Sequence, residues 1–216
     1  MSNKSKIIVT GGTGRFAKIL KKNVGNNYFF PKKNELNILK LRSLMKYLKK
    51  VKPKYLIHLA GLSRPIDLHE KDLQKSINLN IIGTCNVTIA CSSLNIKLIF
   101  FSTSYVYPGK KGDYKETNAL LPNNNYAWSK LGAEAAVQMY KNSLILRVSM
   151  TEKPFIHKYA YADMKTNFIF HEDFIKIFKK ILHFKGVLNI GGPSKTVYKF
   201  AKKYNKNIKK KFLMKE

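Results

Sequence analysis

The chain has 216 residues, of which 41 are Lys or Arg and 12 are Asp or Glu, for a formal net charge of +29. That length suits one large domain, or one domain with a small appendage, and 44% hydrophobic residues with 12% aromatics exclude extensive disorder. The longest apolar runs, Lys97–Phe101 and Ser143–Val148, are strand-length, far short of the ~20 residues that span a bilayer.

The N-terminus leads straight into a strand with no signal-peptide core, so a cytoplasmic protein without a membrane partner is expected. A pI near 10.1 would ordinarily raise nucleic acid as a partner. Yet the arginines are only Arg15, Arg42, Arg64 and Arg147; the remaining positive charge is lysine, accompanied by abundant Asn and Ile. An A/T-rich coding sequence gives that bias. Bidentate phosphate recognition favours Arg, so a solvated surface is expected and a nucleic-acid partner is not. Cys85 and Cys91 match no metal or redox spacing and read as small apolar residues of one helix.

In chain order, Lys6–Thr10 reads as a short buried strand, followed by glycines and a helix carrying Phe16, Ile19 and Leu20. Tyr28–Phe30 is a second strand, stopped by Pro31. Leu41, Leu44, Met45 and Leu48 mark an amphipathic helix over Leu39–Lys50. Tyr55–Ala60 is a continuous apolar strand of the kind covered on both faces. A long helix over Leu73–Leu94 follows, then a strand at Lys97–Phe101, a helix at Asn125–Tyr140 and a strand at Leu144–Val148. A helix at Glu172–Phe184, a strand at Val187–Ile190 and a helix near Val197–Tyr204 close the chain. Such alternation predicts an α/β, Rossmann-type doubly wound parallel sheet. Residues 1–150 are expected to form a dinucleotide-binding domain, and 151–216, with shorter and more polar elements, a reduced C-terminal substrate lobe.

Chemistry concentrates at three places. Thr10-Gly11-Gly12-Thr13-Gly14-Arg15-Phe16-Ala17 lies between the first strand and first helix, where glycines let the backbone approach a pyrophosphate on the helix N-terminus. Gly11, Thr13, Gly14, Arg15 and Phe16 are its candidate contacts. Leu59, Ala60 and Gly61 lie at the edge of the third strand, where the small residues let a cofactor lie across it; the neighbouring His58 reads as structural. Asn80 faces the same edge. Tyr126 and Lys130 sit four apart, on one face of a helix. A cation there is expected to lower the phenol's pKa from ~10, making it a usable general acid or base. A hydroxyl from Ser102-Thr103-Ser104 can share the oxygen of the reacting group. The second strand runs into Pro31-Lys32-Lys33 with no acid, which favours NADP(H) over NAD(H).

Together these motifs, with Asn80-Ile81-Ile82-Gly83-Thr84 and Ser102-Thr103-Ser104-Tyr105-Val106-Tyr107-Pro108-Gly109, resemble the extended short-chain dehydrogenase/reductase superfamily. They resemble most its dTDP-4-dehydrorhamnose reductase-like group within the NAD-dependent epimerase/dehydratase family. The resemblance implies Thr103 as the catalytic hydroxyl beside Tyr126 and Lys130, with Asn37 and Ile38 near the adenine. It implies a nucleotide-sugar substrate whose 4-keto group is reduced by NAD(P)H. A 4-epimerase would use the same three residues, and a non-catalytic Rossmann protein binding a dinucleotide or RNA is the competing class. Dimers formed by pairing two helices are common in the family, so a homodimer is carried as analogy. Two departures stand out: Ser104 replaces the group's usual Asp, and the segment Thr151–Thr166 and the C-terminus are short.

Overall fold

The computed structural model describes residues 5–155 and 157–213. Strands β1 (Ile7–Thr10), β2 (Tyr28–Phe29), β3 (Tyr55–His58), β4 (Lys97–Thr103) and β5 (Ser143–Val148) alternate with helices α1 (Arg15–Lys22), α2 (Leu41–Val51), α3 (Leu68–Lys71), α4 (Leu73–Ser76), α5 (Gly83–Ser93) and α6 (Asn125–Gln138). Short strands β6 (Met150–Thr151), β7 (Tyr159–Tyr161), β8 (Lys165–Thr166) and β9 (Ile169–Phe170) follow. The chain then runs through α7 (His171–Ile181), β10 (Gly186–Ile190), β11 (Lys195–Thr196), α8 (Val197–Lys202) and β12 (Lys209–Lys211).

Six strands form one sheet in the order β10-β5-β4-β3-β1-β2, and every neighbouring pair is parallel. The unbroken apolar runs explain this: all seven residues of β4 are buried, as a strand covered by helices on both faces requires. One face packs Phe16 and Leu20 of α1 with Phe174 and Phe178 of α7. The other packs Leu44 and Leu48 of α2 with Val87 of α5 and Val137 of α6. Strand order reverses beside β1, which has β2 on one side and β3 on the other. The crevice beyond the carboxyl ends of the strands at such a point is where open α/β sheets take ligands.

Residues 151–216, expected as one lobe, divide between two places. α7 and β10 belong to the main layer, with β10 paired to β5 from Gly186↔Leu144 to Ile190↔Val148. The small strands and α8 instead enclose a separate cluster of Phe155, Phe170, Val197, Phe200 and Ile208. The long helix expected over Leu73–Leu94 is also interrupted: Ile77–Ile82 is a π-helical turn between α4 and α5. Apolar periodicity does not reveal a single widened turn, because the residues on either side keep their helical spacing. Cys91 is fully buried and Cys85 partly so, and both are free.

Candidate active site

A cleft of about 500 Å³ opens at the carboxyl ends of β1, β3, β4 and β5. Thr13, Gly14, Arg15 and Phe16 line it from the first turn, Leu59, Ala60 and Gly61 from the end of β3, and Thr103, Tyr126 and Lys130 from β4 and α6. Seven of the expected cofactor contacts therefore meet in one cavity with Thr103 and with Tyr126 and Lys130, the last two expected both as catalytic residues and as cofactor contacts. Four do not line it. Gly11 lies beneath: its φ is +69°, and a Cβ there would stand 2.6 Å from the Ala60 nitrogen, so only glycine lets the β1 turn sit this close to the end of β3. Asn37 turns its side-chain oxygen to the Leu39 amide at 3.0 Å. Ile38 is a core residue, 6% exposed, packed under α5.

Asn80 is the fourth, and its amide is committed internally. Its Oδ1 accepts from the Leu62 amide at 2.7 Å, while Nδ2 donates to the Leu62 carbonyl at 2.9 Å and to Ser129 Oγ at 2.8 Å. Ser129 Oγ in turn donates to the Tyr126 carbonyl at 2.7 Å. Asn80 thus ties the loop after β3 to the turn of α6 that carries Tyr126 and Lys130. It sits in the π-turn, and the widened backbone is what sets its direction. The N-terminus of α6 is held as well: Asn124 caps Ala127 at 2.9 Å, and Glu70 of α3 accepts from the Asn125 amide at 3.1 Å. A carboxylate there also complements the helix dipole.

His58 is structural, as its surroundings dictate. Thr84 Oγ1 donates to the Asn80 carbonyl at 2.6 Å, so it can only accept from His58 Nε2 at 3.1 Å. His58 Nδ1 then accepts from Thr10 Oγ1 at 2.7 Å. Burial and the nearby Lys130 push this imidazole down to about 3, and it stays neutral.

Tyr126 departs from expectation in direction. Burial pushes its phenol above the usual 10, opposed by a hydrogen bond with Thr103 and by the charges of Arg64 and Arg15. Lys130 is lowered by burial to about 7, with Glu134 pulling it back up. Its amine lies 4.2 Å over the Phe100 ring. Desolvation acts on both groups and favours the neutral form of each, which a sequence pair cannot convey. The phenol keeps its proton at neutral pH, while the amine is poised to gain or lose one.

Beneath the cleft Arg147 and Glu134 form a buried ion pair at 2.6 Å, with side chains 3% and 0% exposed. Ser102 Oγ donates to the other carboxylate oxygen at 2.6 Å, and Arg147 also donates to the Tyr107 hydroxyl at 2.6 Å and the Glu116 carbonyl at 2.9 Å. The Tyr107 hydroxyl reaches Asn189 of β10 at 2.8 Å. Arg147 is thus committed to an ion pair and to the hydrogen bonds around it. The rim holds residues that the sequence reading did not select: Arg64, Glu152, Tyr105 and His171. Glu152 joins Arg15 at 3.1 Å and Arg64 at 3.5 Å. The one available signal was scarcity, since arginines number four in the whole chain. Among the described residues no cluster of His, Cys, Asp or Glu could hold a metal, and no helix is long and apolar enough to cross a membrane.

A parallel doubly wound sheet, a glycine-rich turn at its switch point and a Thr–Tyr–Lys wall define a Rossmann-type protein of the extended short-chain dehydrogenase/reductase kind. More narrowly, the chain belongs to the RmlD substrate binding domain family, which matches residues 5–165. It is 27% identical over 154 residues to methionine adenosyltransferase 2 subunit beta of Xenopus laevis, a match covering 66% of this chain and 46% of that protein. It is 29% identical over 150 residues to the spore coat polysaccharide biosynthesis protein SpsK of Bacillus subtilis, covering 67% and 53%. The chain thus spans about half the length of the curated relatives it matches. Among solved structures, a dTDP-4-dehydrorhamnose reductase from Bacillus anthracis in complex with NADP superposes with a TM-score of 0.87. The two are 24% identical, and the match covers 99% of this chain and 85% of that one.

Proposed function

We propose that the chain is an NAD(P)H-dependent reductase of a 4-keto nucleotide sugar, with Tyr126 as proton donor. The observation that carries this reading is the convergence of Thr103, Tyr126 and Lys130 on one wall of the cleft that the glycine-rich turn opens. The cavity suits a nicotinamide dinucleotide: Thr13–Phe16, at the N-terminus of α1, line it, and Ala60 and Gly61 offer little side-chain bulk at the end of β3. Those segments would hold the cofactor, which supplies the hydride. Tyr126, kept protonated by burial, gives its proton to the carbonyl oxygen as it becomes an alkoxide, and Thr103 donates a second hydrogen bond to that oxygen. Lys130, near 7 and one turn from Tyr126 on the same helix, is the amine able to return a proton to the phenol. Lys32 and Lys33, both exposed after β2, favour NADPH.

A second reading is favoured by the relatives that bear the name of a methionine adenosyltransferase subunit: a dinucleotide-binding subunit without turnover. The deciding experiment titrates purified protein with NADPH and NADH by fluorescence, then follows absorbance with a panel of 4-keto nucleotide sugars. Tight cofactor binding with consumption on one ketosugar is expected. Binding without consumption on any of them overturns the reductase and leaves either the 4-epimerase, which returns its cofactor unchanged, or the subunit reading; product analysis with unoxidised nucleotide sugars separates those two. Apolar side chains exposed on the packed pair α5 and α6, among them Ile89 at 47% and Trp128 at 49%, support a homodimer.

A further inference from the structure

Three rim residues from three strand ends meet in a way the chemistry above does not use. Arg15 is the first residue of α1, Arg64 lies in the loop after β3, and Glu152 follows β6; all three line the cleft. Glu152 takes Arg15 Nε on Oε1 at 3.1 Å and Arg64 Nη1 on Oε2 at 3.5 Å, one oxygen for each guanidinium. The Arg15 Nη2 also reaches Ser63 Oγ at 3.5 Å. In a chain with 41 basic and 12 acidic side chains, two of only four arginines converge on a single acid. Random surface pairing would have used lysine.

We propose that Glu152 is an internal anion that competes with a ligand's diphosphate for Arg15 and Arg64, so that it sets the affinity of the cleft for diphosphate ligands. The inference rests on the dinucleotide and nucleotide-sugar reading above, since both molecules carry that group. Two arguments favour competition over a stabilising staple. Exposed arginine–carboxylate pairs add little to folding, because water and salt screen them; here the side chains are 43%, 37% and 24% exposed. A phosphate gives guanidinium groups charge-assisted hydrogen bonds in a geometry at least as good as a carboxylate's. Moreover, Arg15 begins a helix whose first turn contains no acid and whose Gly14 cap supplies no side-chain acceptor. A diphosphate at that helix end is favoured by the dipole and lies within reach of Arg15. A carboxylate bridging the same two cations must give way before they can turn to it.

The test measures equilibrium binding of NADPH and, separately, of UDP, to the wild-type chain, Glu152→Gln, Arg15→Gln and the double variant. Glu152→Gln should bind one of the two ligands about three- to tenfold more tightly, the range for releasing two exposed ion pairs. The ligand that gains identifies which diphosphate the arginines receive. The gain should shrink when Arg15 is already glutamine, because only Arg64 is then left to release, whereas a loosened loop would give the same gain in both backgrounds. Unchanged or weaker binding of both ligands by Glu152→Gln overturns the proposal, as does an equal gain in the Arg15→Gln background. Neither ligand needs to be turned over, so a chain that binds them without reducing any ketosugar would refute the reductase and leave this inference standing.

Discussion

Glu134 and Glu152 both pair with arginine, one beneath the floor of the cleft and the other at its rim, yet their settings differ in every energetic respect. Glu134 is inaccessible to solvent and takes Arg147, Ser102 and Gln138 at 2.6–3.1 Å. Glu152 is 24% exposed and takes two guanidinium groups at 3.1 and 3.5 Å. A buried pair is held by the cost of stranding either charge, whereas an exposed one exchanges readily with water and other ions. The floor therefore fixes geometry, holding β4, β5, α6 and β10 in one hydrogen-bonded unit, and the rim remains free to trade partners. Rigid chemistry below and exchangeable charge above are what a site needs if it must orient a carbonyl and also admit a charged ligand.

The largest effect expected falls on the wall of the cleft that this floor supports. Tyr126→Phe should lower turnover by about 10²–10⁴-fold, the range for losing a general acid, while dinucleotide titration remains near that of the wild type. Turnover within a few-fold of wild type would remove Tyr126 from the chemistry. Next, Arg147→Ala leaves Glu134 buried without its partner and should cost about 3–5 kcal/mol in urea unfolding. A loss below ~1 kcal/mol would mean that the floor is no more rigid than the rim. A third effect is read against pH. Lys130 is lowered from 10.5 to about 7, so between those values the unfolded chain binds a proton that the folded chain does not. Stability from this residue therefore rises as pH climbs from about 7 towards 10.5 and is least below pH 7. Lys130→Met should flatten that rise in unfolding curves measured across the interval; an unaltered slope would place the low amine elsewhere.

Much of this was legible because it is local. β1, β3, β4 and β5 announce themselves as continuous apolar runs, and the glycine turn and the Tyr126–Lys130 spacing are read within a few residues. What escaped joins distant parts of the chain or depends on burial. Arg64 and Glu152 are 88 positions apart, and nothing in either neighbourhood names the other. The Val187–Ile190 strand was found, but its seat beside β5 was not, because pairing partners are chosen by the assembled sheet. The direction of the Tyr126 shift was misread for the same reason: the sequence shows the lysine but not the desolvation that outweighs it. Asn80 was expected to touch a cofactor, and instead it fastens the loop after β3 to α6.

That fastening has an evolutionary corollary in the turn at Ile77–Ile82. A π-turn is an α-helix with one extra residue, so deleting any one position there would restore ordinary winding. The helices on either side would keep their phase, because the lost residue and the tightened turn offset each other, but side chains inside the turn would be redirected. Asn80 would then swing away from Leu62 and Ser129, and the wall carrying Tyr126 would lose its tether. The insertion is thus a ratchet: a descendant could shed it only by rebuilding the anchor at the same moment.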